Sequence, residues 1–145
     1  MKQFDTNHTR YIKQRDLQSC SAVVLLNLHK WQGFKITEKQ LPKYRKLLQT
    51  DPFLGTSRKR FRKIIGKRGR RLTYAQLKAH NGATILDTEW PEGGRHHYLV
   101  IGWGKHNTTY GWVAINYKLG VTYSLIPAST MKCLLKRSLT WTFKK

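Results

Sequence analysis

Acidic residues are scarce in this chain: 7 Asp and Glu stand against 28 Lys and Arg among 145 residues, a formal net charge of +21. A field of that size draws a protein towards nucleic acid, anionic membrane or another polyanion, and it says little about the fold. Cysteine is scarce as well. Cys20 and Cys133 are too few for a disulfide scaffold, and no CxxC pair suggests zinc, so neither a metal nor another cofactor is expected and a reducing compartment fits best. No stretch approaches the roughly 20 apolar residues of a membrane span. The N-terminal residues, MKQFDTNHTRYIKQRD, lack the apolar segment of a signal peptide. A soluble protein of the cytoplasm, or one packaged in a virion, is the expectation. Internal repeats and low-complexity linkers are also missing, and the length suits one domain over residues 1–145. With 39% hydrophobic and 12% aromatic residues, recurring along the whole length, the chain has the means to build a core, which excludes general disorder.

What is present divides into a helical first half and a strand-rich second half. Residues 20–32 (CSAVVLLNLHKWQ) are apolar on nearly every side and predict a buried helix, with Ser19 to cap its start and Gly33 its end. Thr37 and Gln40 form a capping-box pattern that opens a second helix to about Gln49. A third helix begins at Thr56 or Ser57. Its Phe61, Ile64 and Ile65 recur at helical spacing, and Gly66 and Gly69 end it. Thr73 and Gln76 open a short fourth helix, closed by Asn81-Gly82. Strands are then expected at 83–90, 96–103, 112–117 and 121–126, with a turn at 91–94, a short helix from Pro127 to about Lys136, and a last strand at 139–143. Helices first and an antiparallel sheet after them is an α+β layout.

One constellation in this layout suggests chemistry. Cys20 falls in the first turn of a buried helix, where unpaired N–H groups and the helix dipole favour a thiolate over a thiol. A thiolate is helped by an imidazole that pairs with it and then protonates the leaving amine. His96 and His97 lie on a predicted core strand, and because side chains alternate along a strand only one of them can face the helix. A third group has to hold the imidazole by its other nitrogen. Asn116, polar within the apolar run WVAINY, is placed for that task.

In these segments the chain resembles the papain-like cysteine peptidases of the bacteriocin-processing type, the leader-peptide peptidase domains of certain export transporters. The likeness starts at QRDLQSC, with Gln14 six residues before Cys20, and runs on through SAVVLLNLHKWQGFKIT, LGTSRKRFRKIIGKRG, HHYLVIGWG and AINYKLG. It implies the papain-like peptidase fold, with the helical half packed on the antiparallel sheet. It further implies that Cys20 is the nucleophile, that His97 rather than His96 is the catalytic histidine, that Asn116 holds the place of the triad acid, and that Gln14 contributes to the oxyanion hole. Its substrate would be a peptide or protein, which the family usually cleaves after small residues such as Gly-Gly. Four positions depart from the family's pattern: Ser21-Ala22 replace a Gly-Pro after the cysteine, Asn116 replaces an acid and Tyr117 a proline. A Cys-His-Asn triad is itself a working arrangement, as in papain-like proteases.

The basic residues Arg58, Lys59, Arg60, Arg62, Lys63, Lys67, Arg68, Arg70 and Arg71 place nine cations in fourteen positions. A solvated helix face is the ordinary meaning of a charge run. Here so few acids are available to neutralise it that a polyanion-binding face is expected. No helix-turn-helix, zinc-finger or RNA-recognition pattern accompanies it, so nucleic-acid binding should tolerate any sequence and weaken with salt. The competing expectation is therefore a catalytically inactive relative that keeps the fold and binds nucleic acid non-specifically, and a virus-encoded or virion-associated origin is one form of that expectation. Cys133 is expected to be core or inert surface.

Overall fold

The computed structural model describes residues 12, 19–51, 56–66, 68–89, 95–103, 110–113, 124–126 and 128–144. Five α-helices and five strands are seen among them: α1 Cys20–Trp31, α2 Leu41–Leu47, α3 Arg58–Ile65, α4 Tyr74–Ala79, β1 Asn81–Glu89, β2 Arg95–Trp103, β3 Tyr110–Val113, β4 Ser124–Ile126, α5 Ala128–Lys136 and β5 Ser138–Phe143. This is the α+β arrangement expected. The strands form one antiparallel sheet in the order β4-β3-β2-β1-β5, so α5 carries the chain from one edge of the sheet to the other.

Local chemistry accounts for most helix ends. Thr37 and Gln40 close their capping box over a 3-10 turn, Glu38–Gln40, that leads into α2. Ser57 accepts from the Arg60 N–H at the start of α3, and Thr73 and Gln76 close a second capping box at α4. Gly33 and Gly66 terminate α1 and α3 with φ of 103° and 68°, a region that costs other residues about 1 kcal/mol or more. Two expectations need correction. Ser19 precedes α1, yet its side chain makes no capping hydrogen bond. Asn81-Gly82 does not close α4, which ends at Ala79 with His80 as its cap. β1 already runs through both, with Gly82 opposite Gly102 and Asn81 opposite Trp103. The His80 imidazole ties this strand start to the carbonyls of Ala83 and Phe143, at 3.2 and 3.0 Å. Gly82 is needed there, since a Cβ would sit 2.3 Å from the Phe143 carbonyl oxygen.

β1 is the centre of the molecule, and Ala83 to Thr88 are all buried. Its two faces are covered by different helices. On one, Ile85 stands opposite Trp141, whose indole meets the Phe61 ring of α3 edge-on at 5.8 Å, and Asp87 is reached by Arg58 of the same helix. On the other, Thr88 shares a 2.7 Å hydrogen bond with Ser138, and Ser138 donates to the Leu134 carbonyl of α5. β5 would be an edge, but Arg70 pairs with Thr140 through backbone bonds of 3.0 and 2.7 Å and covers it.

α1 packs on β2 and against α2. Every residue from Cys20 to Leu28 is buried, the sign of a helix surrounded by protein. At its far end the half-buried His29 ring meets the Tyr44 hydroxyl at 2.5 Å, and burial lowers the imidazole pKa and raises that of the phenol. Both shifts favour the neutral pair.

Candidate active site

Cys20 is the first residue of α1 and is 7% exposed. The first hydrogen bond of the helix runs from the Val23 N–H to the Ser19 carbonyl at 2.8 Å, so the amides of the first turn lie ahead of the helical ladder. Those amides carry the positive end of the helix dipole, which favours a thiolate at that position. The cause of this placement is local: the eight residues that follow Cys20, up to Leu28, are apolar or small apart from Asn27, and the helix is drawn into the core with its tip at the cysteine.

β2 brings the second member. His97 lies on this strand, directly opposite Asp87 of β1, and His96 lies opposite Thr88. Because α1 packs on β2, the elements that carry Cys20 and His97 are in contact. Gln14 and Asn116 fall outside the described residues. Cys133 is on the exposed side of α5. Among the described residues no group of three or more His, Cys, Asp or Glu could hold a metal ion, and no helix is long and apolar enough to cross a membrane. A shallow groove of about 370 Å³, lined by Lys30, Phe34, Lys35 and Ile36, opens at the opposite end of α1 from Cys20 and does not reach the cysteine.

Two residues with a bearing on the site were not singled out from sequence. Asn27, two helical turns beyond Cys20, is fully buried and clamps the backbone of Ile12 with both ends of its amide: its oxygen accepts from the Ile12 N–H at 2.8 Å and its nitrogen donates to the Ile12 carbonyl at 3.0 Å. The chain that precedes the helix is thereby tied alongside it. Asn27 is the polar interruption in VVLLNLHKW, a legible signal. The other is Asp87, whose carboxylate oxygen accepts from Arg58 Nε at 3.0 Å with its own side chain wholly shielded from solvent.

The basic residues are spread over two elements. Lys59, Arg62 and Lys63 are exposed and recur at helical spacing on α3, opposite the buried Phe61. Arg58 and Arg60 turn to partners within the protein, Asp87 and the Leu47 carbonyl. Arg68, Arg70 and Arg71 are exposed beside the sheet edge, where Arg71 donates to the Lys136 carbonyl at 2.7 Å. Lys67 lies outside the described residues.

No protein-family profile matches the chain, and neither does any curated protein. Solved structures do match. The peptidase domain of Streptococcus ComA, a bi-functional ABC transporter involved in a quorum-sensing pathway, superposes with a TM-score of 0.67 at 15% identity, covering 94% of this chain and 98% of that one. The peptidase domain of Streptococcus mutans ComA superposes with a TM-score of 0.59 at 16% identity, covering 92% and 98%. The fold is that of these peptidase domains. The papain-like α+β architecture expected from the motifs is thus shown, over nearly the whole chain.

Proposed function

We propose that the protein is a cysteine peptidase whose nucleophile is Cys20. The observation that carries this reading is the position of Cys20, at the tip of a helix packed on the strand that bears His97, in a fold shared with peptidase domains. In the reaction the thiolate attacks the carbonyl carbon of a peptide bond. The oxyanion formed is held by the Cys20 backbone N–H and the Gln14 side-chain amide, each such donor lowering the barrier by about 3 kcal/mol. His97 gives its proton to the leaving amine as the C–N bond breaks, leaving a thioester. It then takes a proton from water, whose oxygen attacks the thioester and releases the acid and the thiolate. Asn116 fixes the ring of His97. A reducing compartment suits a reaction that depends on a free thiol. The test is incubation with a diverse peptide library that includes Gly-Gly sequences, with new termini read by mass spectrometry. Cleavages made by the wild type and absent with Cys20→Ala support the reading, and a library left intact by pure, folded protein counts against it.

We also infer a polyanion-binding face, supported by the exposed row Lys59, Arg62 and Lys63 on α3, with Arg68 and Arg70 nearby in sequence. Binding of a labelled oligonucleotide is expected to weaken about a hundredfold between 50 and 200 mM salt if about four phosphates are neutralised. Replacing Lys59, Arg62 and Lys63 together by glutamate should weaken it at least tenfold, and Cys20→Ala should leave it unchanged. Weak binding at 50 mM salt would remove this face from the account. Strong binding by a protein that cleaves nothing would favour the inactive, nucleic-acid-binding alternative.

A further inference from the structure

Asp87 is an unusual expenditure. The chain has 7 acidic residues, and among those described Asp87 is the only one that is buried. An ionised carboxylate is costly to bury, more so in a strand paired on both sides and between Leu86 and Thr88, and the cost is met in part by a cation brought from another element. That cation is Arg58, the first residue of α3, which remains 29% exposed while its partner is at 0%. The position is also particular. Across the β1–β2 pair Asp87 stands in register with His97. Residues opposite each other in an antiparallel pair have Cβ atoms about 4.5–5.5 Å apart and share a face of the sheet. A negative charge on the same face of the sheet favours the imidazolium over the neutral ring, and it needs no direct hydrogen bond to do so.

The triad read from the sequence has an amide, Asn116, as its third member, and an amide can orient a ring but brings no charge. We propose that Asp87 supplies that charge: it is a positioning residue that holds His97 in its protonated form opposite the Cys20 thiolate, and Arg58 sets how much of its field His97 feels. The proposal rests on the peptidase reading for its purpose but not for its measurement. Among the described residues, the elements packed about Asp87 place the following groups near it. β5 places the uncharged Leu139 opposite it. Glu89, two residues along β1, is exposed and stands opposite Arg95. Lys132 and Lys136 of α5 are exposed, and α5 covers the other face of β1.

The test is an NMR titration of the six imidazoles in the full chain, with His97 assigned through His97→Gln. Asp87→Asn keeps the shape of the side chain and removes its charge, and the His97 pKa should fall by about one pH unit or more. Arg58→Gln removes the opposing cation, and the His97 pKa should rise. A purely structural ion pair would respond alike to the loss of either partner, so the opposite signs are the diagnostic result. A His97 pKa unmoved by Asp87→Asn, or falling in both variants, would overturn the proposal. Should one variant not fold, the other decides alone, since each has its own expected sign. Slow alkylation of Cys20 with these shifts present would sink the peptidase reading and leave the Asp87–His97 coupling standing, so the two failures can be told apart.

Discussion

Cys20→Ala is expected to lower turnover of any peptide that the protein cleaves by at least ~10⁴-fold. The size follows from the chemistry. Without the sulfur no thioester forms, and what remains is whatever acceleration comes from binding and from the oxyanion donors alone. His97→Ala should cost nearly as much, because nucleophile and acid act as one unit and removing either disables both. Their losses are therefore not additive, and the double variant should be no worse than the worse single one. The substitution is mild for the fold: Cys20 is buried at the end of α1, and alanine keeps the helix and most of the packing. A far-UV spectrum and an unfolding midpoint close to those of the wild type should accompany the loss. Cleavage that survived Cys20→Ala undiminished would mean that another group performs the reaction.

Trp141→Ala is expected to be the most destabilising single change, by about 3–5 kcal/mol. The indole is 1% exposed and joins three parts of the molecule: it lies opposite Ile85 on β1, meets Phe61 of α3 edge-on, and fills the space beside Gly69, where a Cβ would come within 2.7 Å of it. Its removal leaves a cavity between sheet and helix that the neighbours cannot fill without moving. Set against a typical domain stability of about 5–15 kcal/mol, the loss is about a fifth or more. It should appear as a lower urea midpoint with an unchanged slope, and as a melting point lower by about 10 °C or more. Phe34→Ala is the contrast. Phe34 is 62% exposed, so its loss should stay within about 0.5 kcal/mol. A change below about 1 kcal/mol for Trp141→Ala would contradict the packing described.

Much of the helical half was legible because its signals are local. The capping boxes at Thr37 and Thr73, the helix-ending glycines and the spacing of Phe61, Ile64 and Ile65 act within a few residues of where they stand. The sheet was less legible, since its order depends on partners far away in sequence. Asn81-Gly82 carries a strong turn signal, yet pairing with Gly102 and Trp103 and the bond from His80 to Phe143 hold it extended. Nothing near Arg70 announces that it will cover the edge of β5 seventy residues later. The same holds for the candidate site. Cys20 could be singled out from its place at a helix tip, a local feature, whereas the strand offered His96 and His97 alike and only the family resemblance pointed to His97. Asp87 could not be given a role, for its cation lies 29 residues earlier and its partner in register is fixed only by the hairpin between β1 and β2.

The reactivity of the two cysteines tests the central claim most directly, because accessibility and the proposed activation order them oppositely. Cys133 is exposed and Cys20 is buried, so a reagent limited by access should find Cys133 first. At pH 6 an ordinary thiol with a pKa of about 8.5 is ionised about one part in three hundred, whereas a thiolate paired with His97 is already formed. Iodoacetamide at pH 6, with the labelled peptides counted by mass spectrometry, is expected to modify Cys20 on the order of a hundred times faster than Cys133, with the preference lost in His97→Ala. Faster labelling of Cys133, or slow and equal labelling of both, would contradict the claim that Cys20 is an activated nucleophile.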